Sequence, residues 1–283
     1  SVIGDGYLGR TNGNGPLITT NMPTVTYSAT FFLNTTGAFI MYESLKFAGA
    51  RSGQIVATGS DNVVTRCAVE NSSTNSSASC YSGVARGILF NNDGTLTGGS
   101  GGTSVATWTG ANSRAIANRL NGGGGTAAGI LAAASSVIIG NLVFNAAIGI
   151  SMNNTGGSPC IYGNTIAECS GDCIDIITGA TQLQCVVGNL LTDSSGGYGI
   201  DGVSAANAIF AANNRIDRNN SGTVNNATDW LAATSFNHEL TSATKANEYN
   251  DASTRDYSLL TGSPAKGAGM FPYLDIGALQ RQE

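Results

Sequence analysis

The chain is short of charge. Asp, Glu, Lys and Arg make up 11% of its 283 residues, 18 acidic against 13 basic, for a net charge of −5. The basic residues are scattered singly, so there is no positive footprint for a phosphate backbone, and nucleic acid is excluded as a partner. Long apolar runs are missing as well. The longest, such as Gly129 to Ile139, are interrupted by Ser and Gly and fall well short of a bilayer's thickness, so no membrane span is expected and the chain reads as soluble. Histidine occurs once, at His238. With no Gly-x-Ser-x-Gly elbow to go with it, a Ser-His-Asp triad is excluded.

Glycine, at 39 copies, is plentiful, and Asn, Ser and Thr are abundant, so the polar surface is built of neutral amides and hydroxyls. Apolar residues make up 41% of the chain and recur in short patterned runs, which excludes a disordered polymer. The six cysteines, Cys67, Cys80, Cys160, Cys169, Cys173 and Cys185, form an even set without metal-finger spacing. They are compatible with disulfides in an oxidising compartment or with small core residues.

The informative feature is a repeat. Asn recurs at Asn118, Asn141, Asn164, Asn189 and Asn214, in steps of 23, 23, 25 and 25 residues. Two residues further on lie Leu120, Val143, Ile166, Leu191 and Ile216, an apolar column that points inward if each step is one turn of a coil. Val137, Cys160, Cys185 and Phe210 form a third column, and Ile150, Ile174 and Ile200 a fourth. The steps are too short for paired-helix repeats, the apolar spacing has period two, and no leucine-rich frame is present. These observations predict an all-β, right-handed parallel β-helix with coils of about 23–25 residues, its strands about 4.8 Å apart along the axis.

The segments 39–45 and 63–69 match at a step of 24, so coils start early. Gly-rich insertions near 91–103 and 121–126 read as protruding loops on a solenoid spanning 1–230. Residues 231–283 then read as an irregular segment that closes the open end of the same domain. The stacked amides of Asn118, Asn141, Asn164, Asn189 and Asn214 are expected to be structural, satisfying buried turn backbone.

The units Gly163-Asn164-Thr165-Ile166 and Gly171-Asp172-Cys173-Ile174-Asp175-Ile176 resemble the pectate-lyase-like right-handed β-helix superfamily, over most of residues 30–230. The C-terminal run Asp256-Tyr257-Ser258-Leu259-Leu260, Gly262-Ser263-Pro264-Ala265 and Asp275-Ile276-Gly277-Ala278 is similar to the closing segment of many secreted bacterial and phage-encoded β-helix proteins. The resemblance implies a fold and a habitat: extracellular, at a cell surface or on a virion. Its members include polysaccharide lyases, glycoside hydrolases, esterases, phage tailspikes and non-catalytic surface proteins, so function has to be argued from a site.

Two sets of residues qualify. Extending the Asn register by four positions gives Asn145, Glu168, Asp193 and Arg218, and clustered carboxylates beside a basic group are what lyases of that superfamily use to hold Ca²⁺ against an acidic sugar and remove a proton. Glu168 and Asp193 would be the hard oxygen ligands. The second set aligns Asp175 with Asp201, with Asp172 close in sequence, a pair suited to acid and base roles in glycoside hydrolysis. Trp108, Tyr162 and Tyr198 are the aromatic candidates for stacking on sugar.

The expected function is a non-catalytic structural, adhesive or carbohydrate-contacting β-helix, with a polysaccharide lyase or hydrolase as the rival. No cofactor is required; calcium belongs to the lyase reading. The partners expected are a polysaccharide or cell-surface glycan, or further copies of the chain in a homo-oligomer or filament.

Overall fold

The computed structural model describes residues 2–3, 22, 24–26, 31–35, 37–50, 53–57, 59–76, 78–83, 85–98, 104–108, 111–152, 157–176, 184–202, 209–225, 238–239, 248–254, 256–266 and 276–277. They build a parallel β-solenoid whose three long sheets hold nine, ten and nine strands, each strand only two to five residues long. Sheet A runs from Val2–Ile3 and Met41–Glu43 through Cys160–Tyr162 and Gln184–Val187 to Ile209–Ala212. Sheet B runs from Thr24–Thr26 through Leu142–Phe144 and Leu190–Thr192 to Arg215–Asp217 and His238–Glu239. Sheet C runs from Phe31–Thr35 through Ile148–Met152, Ile174–Ile176 and Tyr198–Gly202 to Gly222–Val224. Each coil contributes one strand to A, then B, then C.

The strands are short because the chain must turn three times per coil. The corner between A and B takes one residue in the left-handed region, at Ser44, Arg66, Asn91, Ala117, Gly140, Gly163, Gly188 and Asn213. The next residue in six successive coils is Asn92, Asn118, Asn141, Asn164, Asn189 or Asn214, all buried. Their amides form a continuous ladder. Asn164 Oδ1 accepts from the Asn141 backbone N–H at 2.9 Å and from Asn141 Nδ2 at 3.0 Å, while Asn164 Nδ2 donates to the Ile138 carbonyl at 3.0 Å and to Asn189 Oδ1 at 2.9 Å. The ladder begins one rung earlier than the repeat suggests: Asn92 Oδ1 accepts from Cys67 N at 2.8 Å.

Inside the coils, period-two alternation directs one column from each sheet to a common core. Leu120, Val143, Ile166, Leu191 and Ile216 pair in register across sheet B, and Ile150, Ile174 and Ile200 across sheet C; all are buried. Sheet A supplies Ile138, Ile161, Val186 and Ala211. Where sheet B offers Gly94 in the inward column, the Tyr81 ring and Val105 fill the space: a Cβ on Gly94 would lie 2.9 Å from Tyr81 Cε2 and 2.8 Å from Val105 Cγ1.

Four expectations are corrected. The step between the coils at 41–43 and 63–65 is 22, with Met41 opposite Val63 and Tyr42 opposite Val64. A two-residue slip leaves every side chain on the same face, so alternation alone does not distinguish 22 from 24. The expected loop at 91–103 starts later, because Asp93–Leu96 is a regular strand of sheet B; residues 99–103 lie outside the described residues. Similarly, Asn121 ends a strand and the second insertion follows it. The column Val137, Cys160, Cys185 and Phe210 is in register but faces outward: Phe210 is 43% exposed, and the inward places belong to its neighbours.

The C-terminal segment does more than meet the end of the stack. His238–Glu239 adds a last strand to sheet B, but residues 248–254, 256–266 and 276–277 lie along the outside of that sheet. Tyr249–Asp251 and Asp256–Leu259 pair antiparallel there. Tyr249, Tyr257, Leu259, Ala265 and Ile276 cover the outward Leu142, Phe144, Ala167 and Leu190, which would otherwise be an apolar patch in water. The Tyr257 ring lies 5.5 Å from Phe144 and edge-on to Tyr249 at 5.2 Å, and the Tyr249 hydroxyl meets Thr192 Oγ1 at 2.7 Å.

Candidate functional site

Asn145, Glu168, Asp193 and Arg218 stack as the sequence register predicts, at the corner between sheets B and C, where each takes φ of 53–63°. Such a backbone disfavours any residue with a Cβ. Arg218 makes a bidentate pair with Asp193, Nε–Oδ1 at 2.8 Å and Nη2–Oδ2 at 3.0 Å, and further bonds to Asp217 Oδ2 at 3.0 Å and Glu248 Oε2 at 2.7 Å. Beneath it the fully buried Arg215 bonds Glu248 Oε1 at 3.1 Å and Asp217 Oδ2 at 3.2 Å.

This network is a clamp. Glu248 comes from the C-terminal segment, and the two guanidinium groups fasten it to the last coils. Burial opposes the charge on Arg218, but the bonds from Asp193 and Glu248 outweigh it and hold the guanidinium well above its ordinary value, so it carries no lone pair with which to take a proton. Asp193 gives both oxygens to Arg218. Among the described residues, no three His, Cys, Asp or Glu side chains gather in an arrangement that would hold a metal ion. The sequence register located the corner but gave no sign of Arg215, Asp217 and Glu248, because Glu248 reaches the coil from outside the repeat.

The second set lies on sheet C, on successive coils. Asp175 pairs in register with Ser151 on one side and Asp201 on the other, one strand spacing away. Asp172 stands just before this strand and accepts from the Tyr198 backbone N–H at 2.7 Å. Tyr198 shares its strand with Asp201, and its ring lies over Gly222 of the next coil, where a Cβ would come within 3.5 Å of it. Asn225 Nδ2 donates to Asp201 Oδ1 at 2.9 Å. Three carboxyl groups therefore come together on one sheet, while Tyr198 stands at the start of the Asp201 strand with its ring against Gly222.

The electrostatics of the three differ from those of ordinary surface carboxylates. Asp175 is 9% exposed, and its Oδ1 has no hydrogen-bond partner among the described residues. Burial pushes its pKa up to about 6, and the charges of Asp172 and Asp201 add to the rise. Burial also raises Asp172; the Asp201 charge adds to this and the Tyr198 N–H works against it. Asp175 therefore holds its proton to a higher pH than an ordinary carboxylate does, as a group in an acid role must.

The aromatic candidates are not brought together. Tyr162 is on the outside of sheet A, beside Gly188, away from the sheet C carboxyls. Trp108 pairs with Gly83 and Ala132 in sheet C, and its side chain lies outside the described residues. Comparison of the chain with known protein families, with curated proteins and with solved structures finds no match.

Proposed function

We propose that the protein is a β-helix of the pectate-lyase-like kind that works extracellularly, on a cell or on a virion, and contacts a glycan through the outer side of sheet C. The observation that carries this reading is the assembly of Asp172, Asp175 and Asp201 on adjacent coils, with Tyr198 at the start of the Asp201 strand and one Asp175 oxygen lacking a donor among the described residues. Sugar hydroxyls are the donors such an acceptor lacks, and a phenol ring gives a pyranose a face to pack on. Three carboxyl groups in one place repel a polyuronate, so the favoured ligand is a neutral glycan. The low charge of the chain as a whole, with its amide and hydroxyl surface, supports the habitat.

The test is co-sedimentation of the full chain with a panel of neutral and acidic polysaccharides, with and without calcium. Binding to a neutral glycan that survives chelation and falls at least tenfold in Asp175→Ala and Tyr198→Ala supports the reading. Binding that is unchanged in both variants, or confined to acidic glycans with calcium, removes it.

One observation favours turnover in addition to binding, namely the raised Asp175. Asp175 would be the acid and Asp201 the nucleophile or base. Asp175 and Asp201 stand opposite each other on strands about 4.8 Å apart, and of the two mechanisms this close register supports the retaining one, which uses the shorter carboxyl separation. New reducing ends that vanish in Asp175→Asn while binding persists would establish hydrolysis. Unsaturated products would establish a lyase instead.

A further inference from the structure

Independently of the glycan reading, we propose that Cys160 and Cys185 are a redox-modifiable pair that closes into a disulfide between successive coils when the chain meets a small-molecule disulfide. The two residues are direct partners in adjacent parallel strands of sheet A. Neighbouring strands lie about 4.8 Å apart, inside the 4.4–6.8 Å over which a disulfide can join two α-carbons. Both side chains are on the outer side of the sheet and partly exposed, whereas Cys67, Cys80, Cys169 and Cys173 are buried.

The two thiols are within hydrogen-bonding reach of each other, and that bond holds Cys160 down at about 7 and pushes Cys185 up. One of the pair is thus poised as the thiolate that attacks, and the other is the resolving thiol beside it. Cys169 and Cys173 also hydrogen-bond to each other, but both are buried, out of reach of a small disulfide. Burial pushes Cys67 up to about 12, and Cys80 and Cys173 well above their ordinary value. Cys67 and Cys80 also face separate carbonyls, those of Tyr42 and Thr65 for the first and of Val69 and Thr95 for the second.

The steps balance. The Cys160 thiolate attacks one sulfur of the small disulfide, forms a mixed disulfide and releases one small thiolate, which takes up a proton. Cys185 then loses its proton to solvent, attacks the Cys160 sulfur and expels the second small thiolate, which is protonated in turn. Two protein thiols and one small disulfide become one protein disulfide and two small thiols. The product staples one coil to the next across a loop of about 25 residues, and the chain-entropy effect of such a loop raises the melting temperature by about 5–10 °C.

The experiment incubates the native full chain with oxidised glutathione, blocks remaining thiols by alkylation, and applies intact mass and non-reducing peptide mapping. The expected result is loss of two hydrogens, a linked peptide pair containing Cys160 and Cys185, and a melting temperature higher than that of the reduced chain. In Cys185→Ser the reaction should stop at a glutathione adduct on Cys160. Free alkylated Cys160 and Cys185 after oxidation, a linkage at Cys169 and Cys173 instead, or an unmodified Cys160 in Cys185→Ser would each overturn the proposal.

Discussion

Replacing Asp175 by Asn tests the electrostatics of sheet C without changing its shape. The folded chain holds this carboxyl at about 6, against an ordinary value of 3.8. The folded state therefore binds the proton more tightly than the unfolded chain does. The stability that this supplies is fully present below pH 3.8, fades as pH rises through about 6, and is absent above it. At about 1.4 kcal/mol for each pH unit, the ionised carboxyl costs the fold about 3 kcal/mol at pH 8. Asn mimics the protonated acid and never ionises. Asp175→Asn should melt within a degree or two of the wild type at pH 4 and roughly 5–10 °C above it at pH 8. Thermal melts followed by circular dichroism at both pH values read the difference directly. A variant that is destabilised at pH 8, or that shifts equally at both pH values, would refute the claim that burial and the neighbouring Asp172 and Asp201 charges strain this site.

Other consequences can be checked by similar means. Asn164→Ala removes the acceptor for two Asn141 groups and the donor to Ile138, so urea melts should show a loss of about 2–6 kcal/mol, from two orphaned buried groups at about 1–3 kcal/mol each. Glu248→Ala leaves the fully buried Arg215 with Asp217 as its remaining acid; a cost of about 3–5 kcal/mol is expected. In that variant limited proteolysis should cut within 248–266 well before it cuts the coils. Gly94→Ala forces a methyl against Tyr81 and Val105 and should cost about 1–3 kcal/mol in the same melts, with no change in strand content.

Much of the fold was legible because a solenoid repeats its reasons. Any one Asn in a polar chain says nothing, but five Asn residues at steps of 23–25, each followed two places on by an apolar residue, place strand on strand. The registers of Leu120 through Ile216, of Ile150 through Ile200, and of Asp175 with Asp201 followed directly. Where the repeat was irregular the reading slipped. Asn92 was hidden beside a Gly-rich insertion, and the first coils were placed two residues out of register because period two permits it.

The amino-acid sequence by itself determined the stacking axis, the coil length and which residues become neighbours along a column, because these depend on local alternation and on turn chemistry repeated many times. Only the tertiary structure decided which side of each column meets water, so that Cys160 and Cys185 face out while Ile161 and Val186 face in. It also decided what lies across the columns. Arg218 and Asp193 belong to a clamp because Glu248 arrives from a segment outside the repeat, and Asp175 is strained because Asp172 and Asp201 close in on a buried oxygen. Periodicity describes contacts along the solenoid; charge, burial and chemistry depend on what packs against it from the side, and no period encodes that.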